Sequence, residues 1–377
     1  MSRNGTILLY LMIYISSVFL LGLSQRRNKG KWNFNVIPFF ISFIILWVIS
    51  CFTRIGADYD NYYRIIEKSA YIIEENGIVE CVFNATCSFL YTIFRNADKV
   101  IFILKTLTLF LYFRAIYMIK DRALLWMSIL AFTLLSFLEF YLISMHLAIA
   151  LFTFSIVYLI EGDDKKSIIF YVIACLTHST SFLFLPVMVI FYVFKCNKRV
   201  LTPMQIFFIS STSLLLYALL TFIYEYAISE IQFFMHYSNY EIEAESKGTG
   251  LFLYVTYIPI ILFAISIYKS LCFSHRFKNV FILYSVFFFL FGLVAYKIQV
   301  FGRMSNYAIV NYMIILPMYF CERKYSRQFR GWMPKNVVMF IWTIFLILQG
   351  LITFMGKINS DTSQLDSWEY FMPFLMI

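Results

Sequence analysis

The sequence predicts an all-α polytopic membrane protein, built as a single integral-membrane domain over residues 1–377. Three observations predict this class. The chain is 61% hydrophobic and only 14% charged, with mean hydropathy +0.77. Its apolar residues fall in long runs, many near the roughly 20 residues a helix needs to cross a bilayer. Its Lys and Arg gather in the short hydrophilic breaks between those runs. The net charge of +10 therefore reads as topology, and its placement argues against a nucleic-acid partner.

Residues 6–23 form the first apolar run. No basic segment precedes it and no small-residue cleavage site follows it, so it reads as a retained helix. Arg26, Arg27, Lys29 and Lys31 follow and place that break on the cytoplasmic side. Residues 34–52 return outward. Residues 53–99 form a polar outer segment with a short amphipathic stretch near 65–73 and an interfacial helix over 82–94. Passes follow over 100–117, 123–143 and 146–160. Two short apolar runs come next, 167–176 and 182–194, separated by Thr177-His178-Ser179-Thr180-Ser181. Ten helical residues cover about 15 Å, half a bilayer. The pair therefore reads as a short hairpin whose tip is buried in protein or lines a cavity. Residues 203–224 go out, and 225–249 form a second outer segment rich in Glu. The remaining passes cover 250–268, 280–296, 304–320 and 336–356. About 12 passes result, with both termini outside.

Charge placement supports that orientation. The cytoplasmic breaks hold 19 Lys and Arg against 10 in the outer segments, and 16 of the 21 acids lie outside. Lys105 and Arg114 fall within a pass. No internal repeat is visible, which disfavours a repeat-built transporter. Of the seven cysteines, only Cys81 and Cys87 share a long polar segment, where a disulfide is open if that segment is extracytoplasmic.

Three stretches carry candidate chemistry. The first is Thr53 to Arg64, with two arginines, two aspartates and three tyrosines in twelve residues. Charge at a membrane edge is costly unless it faces water, a partner or a substrate. Arg54 can grip a phosphate or carboxylate through two parallel hydrogen bonds. Gly56 lets the backbone turn close to a ligand. Asp58 and Asp60 can take a proton from a sugar hydroxyl, and stand on one side only if the piece is extended. Tyr59, Tyr62 and Tyr63 offer rings for sugars. The competing reading is an interfacial anchor of paired charges and belt tyrosines. A lone Asp-x-Asp is weak evidence for a metal, and no metal or other cofactor is expected.

The second stretch is the hairpin tip, where His178 can act as a base or hold an anion. A structural histidine bonded to a neighbouring helix is the alternative. The third is Arg303, with Lys297 just before it: cations on the outer side, against the topological bias, that suit an anionic ligand. Phospholipid headgroups are the competing ligand there. His146, next to Ser144, is a rim candidate for substrate binding, as is Glu139.

Together these stretches resemble the Wzy-type polysaccharide polymerases, in particular their EpsG-like branch. The resemblance rests on Arg54-Ile-Gly-Ala-Asp58-Tyr-Asp60-Asn-Tyr-Tyr63, on Ala174-Cys-Leu-Thr-His178-Ser-Thr-Ser-Phe-Leu-Phe-Leu-Pro186 and on Phe301-Gly-Arg303-Met-Ser-Asn-Tyr307. One departure stands at Ser144-Met145-His146-Leu147-Ala148, where the family often has Arg-Gln before the apolar-Ala pair. Either His146 supplies the missing charge or the role is absent.

The resemblance implies a fold related in broad form to the GT-C glycosyltransferases. It implies a bacterial inner-membrane polymerase of O-antigen or capsule repeat units. The growing glycan would pass from undecaprenyl pyrophosphate to a fresh lipid-linked unit at the periplasmic face. Membrane lipids, a flippase and a chain-length regulator are the implied partners. The residues suit that chemistry independently: Arg54 and Arg303 can neutralise a pyrophosphate leaving group, and Asp58, Asp60 or His178 can serve as base. Two other classes compete: a related membrane transferase or O-antigen ligase, and a flippase for lipid-linked oligosaccharide. A ligase is expected to carry a larger late outer loop. A flippase is expected to carry its cations through mid-membrane rather than at the outer edge.

Overall fold

The computed structural model describes residues 3–28, 31–52, 58–69, 80–137, 140–215, 252–268, 270, 272–295, 306–325 and 334–358. Helix α1 (Arg3–Ser24) runs into a two-stranded antiparallel ribbon, β1 (Gln25–Asn28) and β2 (Lys31–Phe34), and then α2 (Val36–Cys51). The basic break expected as a plain connection is thus a β-hairpin, a small departure from an all-α chain. Gln25 anchors it. Its side-chain amide donates to the Lys120 carbonyl and to the Ala123 carbonyl at 2.7 Å, and its Oε1 accepts from the Leu125 N–H at 3.1 Å.

Short helices α3 (Tyr59–Glu67) and α4 (Cys81–Phe94) follow, then α5 (Ala97–Met118), α6 (Leu125–Leu135) and α7 (Ile143–Glu161). Helix α6 is shorter than the expected pass over 123–143. It stops after 11 residues, about 16 Å of rise, and irregular backbone leads to α7. Ser136, Phe137 and Phe140, between the two helices, are buried, and non-helical backbone inside a membrane needs such cover. Among the described residues, α5 and α7 are by themselves long and apolar enough to cross a bilayer.

The expected hairpin is present. It consists of α8 (Asp164–Thr177), a 3₁₀ turn (Ser179–Phe184) and α9 (Leu185–Val193). At its start the Lys166 side chain and N–H hold the exposed Asp163 carboxyl below its ordinary range. Helices α10 (Pro203–Leu215), α11 (Phe252–Tyr268) and α12 (His275–Ala295) come next. A π-helical turn (Asn311–Ile315) leads into α13 (Leu316–Tyr325), and α14 (Lys335–Ile358) follows.

The first turns of α12 clamp both feet of the hairpin. Arg276 makes a two-pronged contact with Asp164 at 2.6 and 3.1 Å. Asn279 donates to the Cys196 and Arg199 carbonyls at 2.8 and 2.7 Å and accepts from the Leu201 N–H at 3.0 Å.

The main core joins α1, α2 and α5–α14 through buried residues, among them the aromatics Phe132, Phe152, Phe184 and Tyr284. Outward faces are apolar as well. Leu8, Met12, Ile15 and Phe19 on α1 are all more than 60% exposed and recur at helical spacing. Such stripes suit lipid contact.

Helix α14 lies tight against α6. A Cβ built on Gly350 would meet the Leu134 Cβ at 2.6 Å and its Cδ2 at 2.9 Å. Gly350→Ala is therefore expected to push the helices apart and cost about 1–3 kcal/mol. Thermal unfolding in detergent measures this, and an unchanged midpoint would refute the close approach.

Cys81 and Cys87 are both free, so the open disulfide is not made. The two lie on one helix, six residues apart, and rise about 9 Å along it, beyond disulfide reach.

Candidate functional site

Helices α3 and α4 pack onto α5 and α7 through a small core of their own. On α3, Tyr59, Tyr62 and Ile66 face inward while Asp60, Asn61, Arg64 and Glu67 are exposed, an amphipathic pattern. The inward residues pack with Phe83 and Cys87 of α4, Ala97, Val100, Ile101 and Leu104 of α5, and Ile143 and Leu147 of α7. Burial pushes the Cys87 thiol up to about 12, so it stays protonated and inert.

Helix formation separates the two aspartates. Asp58 is the half-buried residue before α3, and Asp60 lies exposed in its first turn. Two residues along a helix turn about 200°, so the carboxylates diverge and form no pair. The extended arrangement that would have aligned them does not occur.

The tyrosines are redistributed too. The Tyr59 hydroxyl donates to Asp98 Oδ1 at 2.5 Å, and the Lys105 ammonium sits 5.5 Å from the centre of its ring. Tyr59 and Tyr62 are therefore walls of this small core rather than open stacking platforms for sugars. Tyr63 is half-buried and keeps part of its surface. Lys105, noted as an oddity within a pass, is buried under α3.

Tyr62 leads to the hairpin tip. Its hydroxyl shares a hydrogen bond with Ser144 Oγ at 2.9 Å and accepts from the Ser144 N–H at 3.3 Å. Burial raises its ionisation well above the ordinary range, so it remains a neutral hydrogen-bonding group. Ser144 Oγ lies 3.4 Å from His178 Nδ1. That nitrogen is 2.6 Å from Glu80 Oε1, which also accepts from the Ser179 N–H at 3.4 Å.

His178 sits where the sequence places it, at the break between α8 and the 3₁₀ turn, with extended backbone (φ −151°, ψ 126°). Its side chain is 13% exposed. Glu80 precedes α4 in the left-handed region, at φ 53° and ψ 28°, a conformation that costs a non-glycine residue on the order of 1 kcal/mol.

The rest of the tip is tied down from below. Tyr307 bonds Thr180 Oγ1 at 3.1 Å and Ser181 Oγ at 2.6 Å, and its carbonyl accepts from the Tyr284 hydroxyl at 2.9 Å. The Tyr171 hydroxyl donates to the Ser181 carbonyl at 3.1 Å. All three sequence stretches thus meet here: the first through Tyr62, the second through His178 to Ser181, the third through Tyr307.

His146 does not join them as an open rim group. It is 1% exposed, with Nδ1 3.2 Å from the Tyr112 hydroxyl and 3.4 Å from Ser136 Oγ. Its place inside the helix packing does not suit direct substrate contact. Arg54, Gly56, Glu139, Lys297, Arg303 and the outer segment 225–249 lie outside the described residues.

Sequence reasoning missed Glu80 and Ser144 as partners of His178. Glu80 was one of several acids in the outer segment, and nothing local distinguishes it. A period of three to four in Tyr59, Tyr62, Ile66 and Ser69 was the available signal that the tyrosines point inward.

Comparisons with curated proteins and with solved structures gave no match. The profile of the EpsG family matches residues 36–368, which takes in every residue of the site. The chain therefore belongs to the EpsG family, membrane proteins of the Wzy-like polysaccharide-polymerase type.

Proposed function

We propose that the chain is an oligosaccharide repeat-unit polymerase of the bacterial inner membrane, working at the periplasmic face. The donor is a growing glycan on undecaprenyl pyrophosphate, and the acceptor is a new lipid-linked repeat unit. About 12 passes in one domain, with residues 53–99 and 225–249 outside and a GT-C-like arrangement, fit this reading. A flippase and a chain-length regulator are the partners the reaction calls for, alongside membrane lipids. It calls for no cofactor.

The observation that carries the reading is the convergence of the three stretches on the hairpin tip, with His178 at its centre. In the reaction an acceptor hydroxyl attacks the anomeric carbon of the donor. The bond from that carbon to the pyrophosphate oxygen breaks, and the lipid pyrophosphate departs with the electron pair. Developing negative charge on it is stabilised by fixed cations, and Arg54 and Arg303 are the candidates. Lys297 is a further cation for that group. The hydroxyl proton goes to a base, drawn from Asp58, Asp60 and His178. Tyr63 is the remaining ring for sugar contact.

Arg54→Ala and Arg303→Ala are each expected to remove long glycan chains from cells while the single-repeat glycolipid persists. Electrophoresis of the surface glycan reads both species. Normal chain-length ladders in both variants would overturn the assignment of the pyrophosphate site.

A further inference from the structure

We propose that Glu80 and His178 form a dyad in which Glu80 positions and charge-stabilises the imidazole, and His178 Nε2 is the base that takes the acceptor proton. The inference rests on the polymerase reading and selects one base among its three candidates.

The geometry points one way. An ionised carboxylate only accepts hydrogen bonds, so at 2.6 Å from Glu80 Oε1 the proton lies on Nδ1. In the neutral ring this leaves the lone pair on Nε2. A proton arriving at Nε2 makes an imidazolium whose charge faces the carboxylate, and a charge-assisted contact of this length is a strong one. The orientation of the ring is constrained further. Ser144 Oγ stands on the same nitrogen at 3.4 Å, and Tyr62 holds that serine by two contacts. Glu80 is in turn seated on the N–H of Ser179, the residue after the histidine. Two segments, at Glu80 and Ser144, therefore touch the imidazole directly, and Tyr62 and the Ser179 N–H hold those two groups.

The two aspartates lack such an arrangement. Asp60 is exposed and Asp58 makes no side-chain capping bond to α3. The proton balance of the step is simple. The acceptor O–H bond breaks as the new glycosidic bond forms, the proton moves to Nε2, and the Nδ1–H stays bonded to Glu80. The proton then leaves Nε2 for water once the lipid pyrophosphate has gone.

A purely structural tie predicts something different, and glutamine separates the two. Glu80→Gln keeps an oxygen that can accept from Nδ1 but removes the negative charge. Purified wild-type protein is supplied with a defined lipid-linked repeat unit, and kcat and KM are measured. Glu80→Gln is expected to lower kcat roughly 10- to 100-fold, part of the 10²–10⁴ that a positioned base contributes, with KM within about twofold of wild type. An unchanged kcat, or a loss confined to KM, overturns the dyad. A wild type that extends no chains overturns the polymerase reading instead. Should Glu80→Gln not survive gel filtration, His178→Gln is assayed on the same substrate. Its kcat is expected to fall at least roughly 10-fold with KM within about twofold of wild type. An unchanged kcat, or a loss confined to KM, overturns the proposal.

Discussion

His178→Ala is expected to lower chain extension by about 10²–10⁴-fold, the usual contribution of a positioned acid–base group. In cells the single-repeat glycolipid should accumulate while longer chains disappear. The size of the effect follows from where the imidazole is held. His178 sits at the one break in the hairpin, bonded to Glu80 at 2.6 Å, on a tip whose Thr180 and Ser181 are buried and fastened to Tyr307. Those fastenings do not involve the imidazole, so alanine removes the ring with little cause for the tip to move. Glu80 keeps its bond from the Ser179 N–H. The loss is therefore expected in turnover and not in the amount of folded protein, which gel filtration checks. Unchanged glycan ladders would return His178 to a structural role.

Asn279→Ala is expected to destabilise the fold by about 2–4 kcal/mol. Asn279 is fully buried. It satisfies the carbonyls of Cys196 and Arg199 and the N–H of Leu201, all in the loop that follows α9. Each buried backbone group left without a partner costs about 1–3 kcal/mol, and part of that cost is recovered where water reaches the loop. The effect is expected to spread toward the site. The same end of α12 grips the other foot of the hairpin through Arg276 and Asp164, so the pair sets how the tip is presented. Thermal unfolding in detergent measures the loss. A shift corresponding to less than about 1 kcal/mol would show that the loop finds other partners.

Part of this site was legible in the residues. Two short apolar runs around Thr177 to Ser181 announced a broken hairpin, because ten helical residues cannot span a bilayer and polar backbone at that depth needs protein around it. The aspartates were less legible. Whether Asp58 and Asp60 share a side depends on local backbone, and the exposed start of α3 is set by how Tyr59 and Tyr62 dock on α5 and α7. The early end of α6 at Leu135 had no sequence signal at all. Residues 123–143 contain neither Pro nor Gly, and Ser136, Phe137 and Phe140 beyond the helix end are covered by neighbouring side chains.

The sequence by itself determined that this is a helical membrane protein, where its apolar runs begin and end, and which histidine stands at a break. Those properties depend on hydropathy and charge along the chain, which any short window reveals. Only the tertiary structure decided which groups surround that histidine. Glu80, Ser144, Tyr62 and Tyr307 come from four distant segments, and contacts of that kind depend on how helices pack, which no local pattern encodes. The same packing buried Tyr59, Tyr62 and His146. Burial is a property of the assembled bundle and not of the residue.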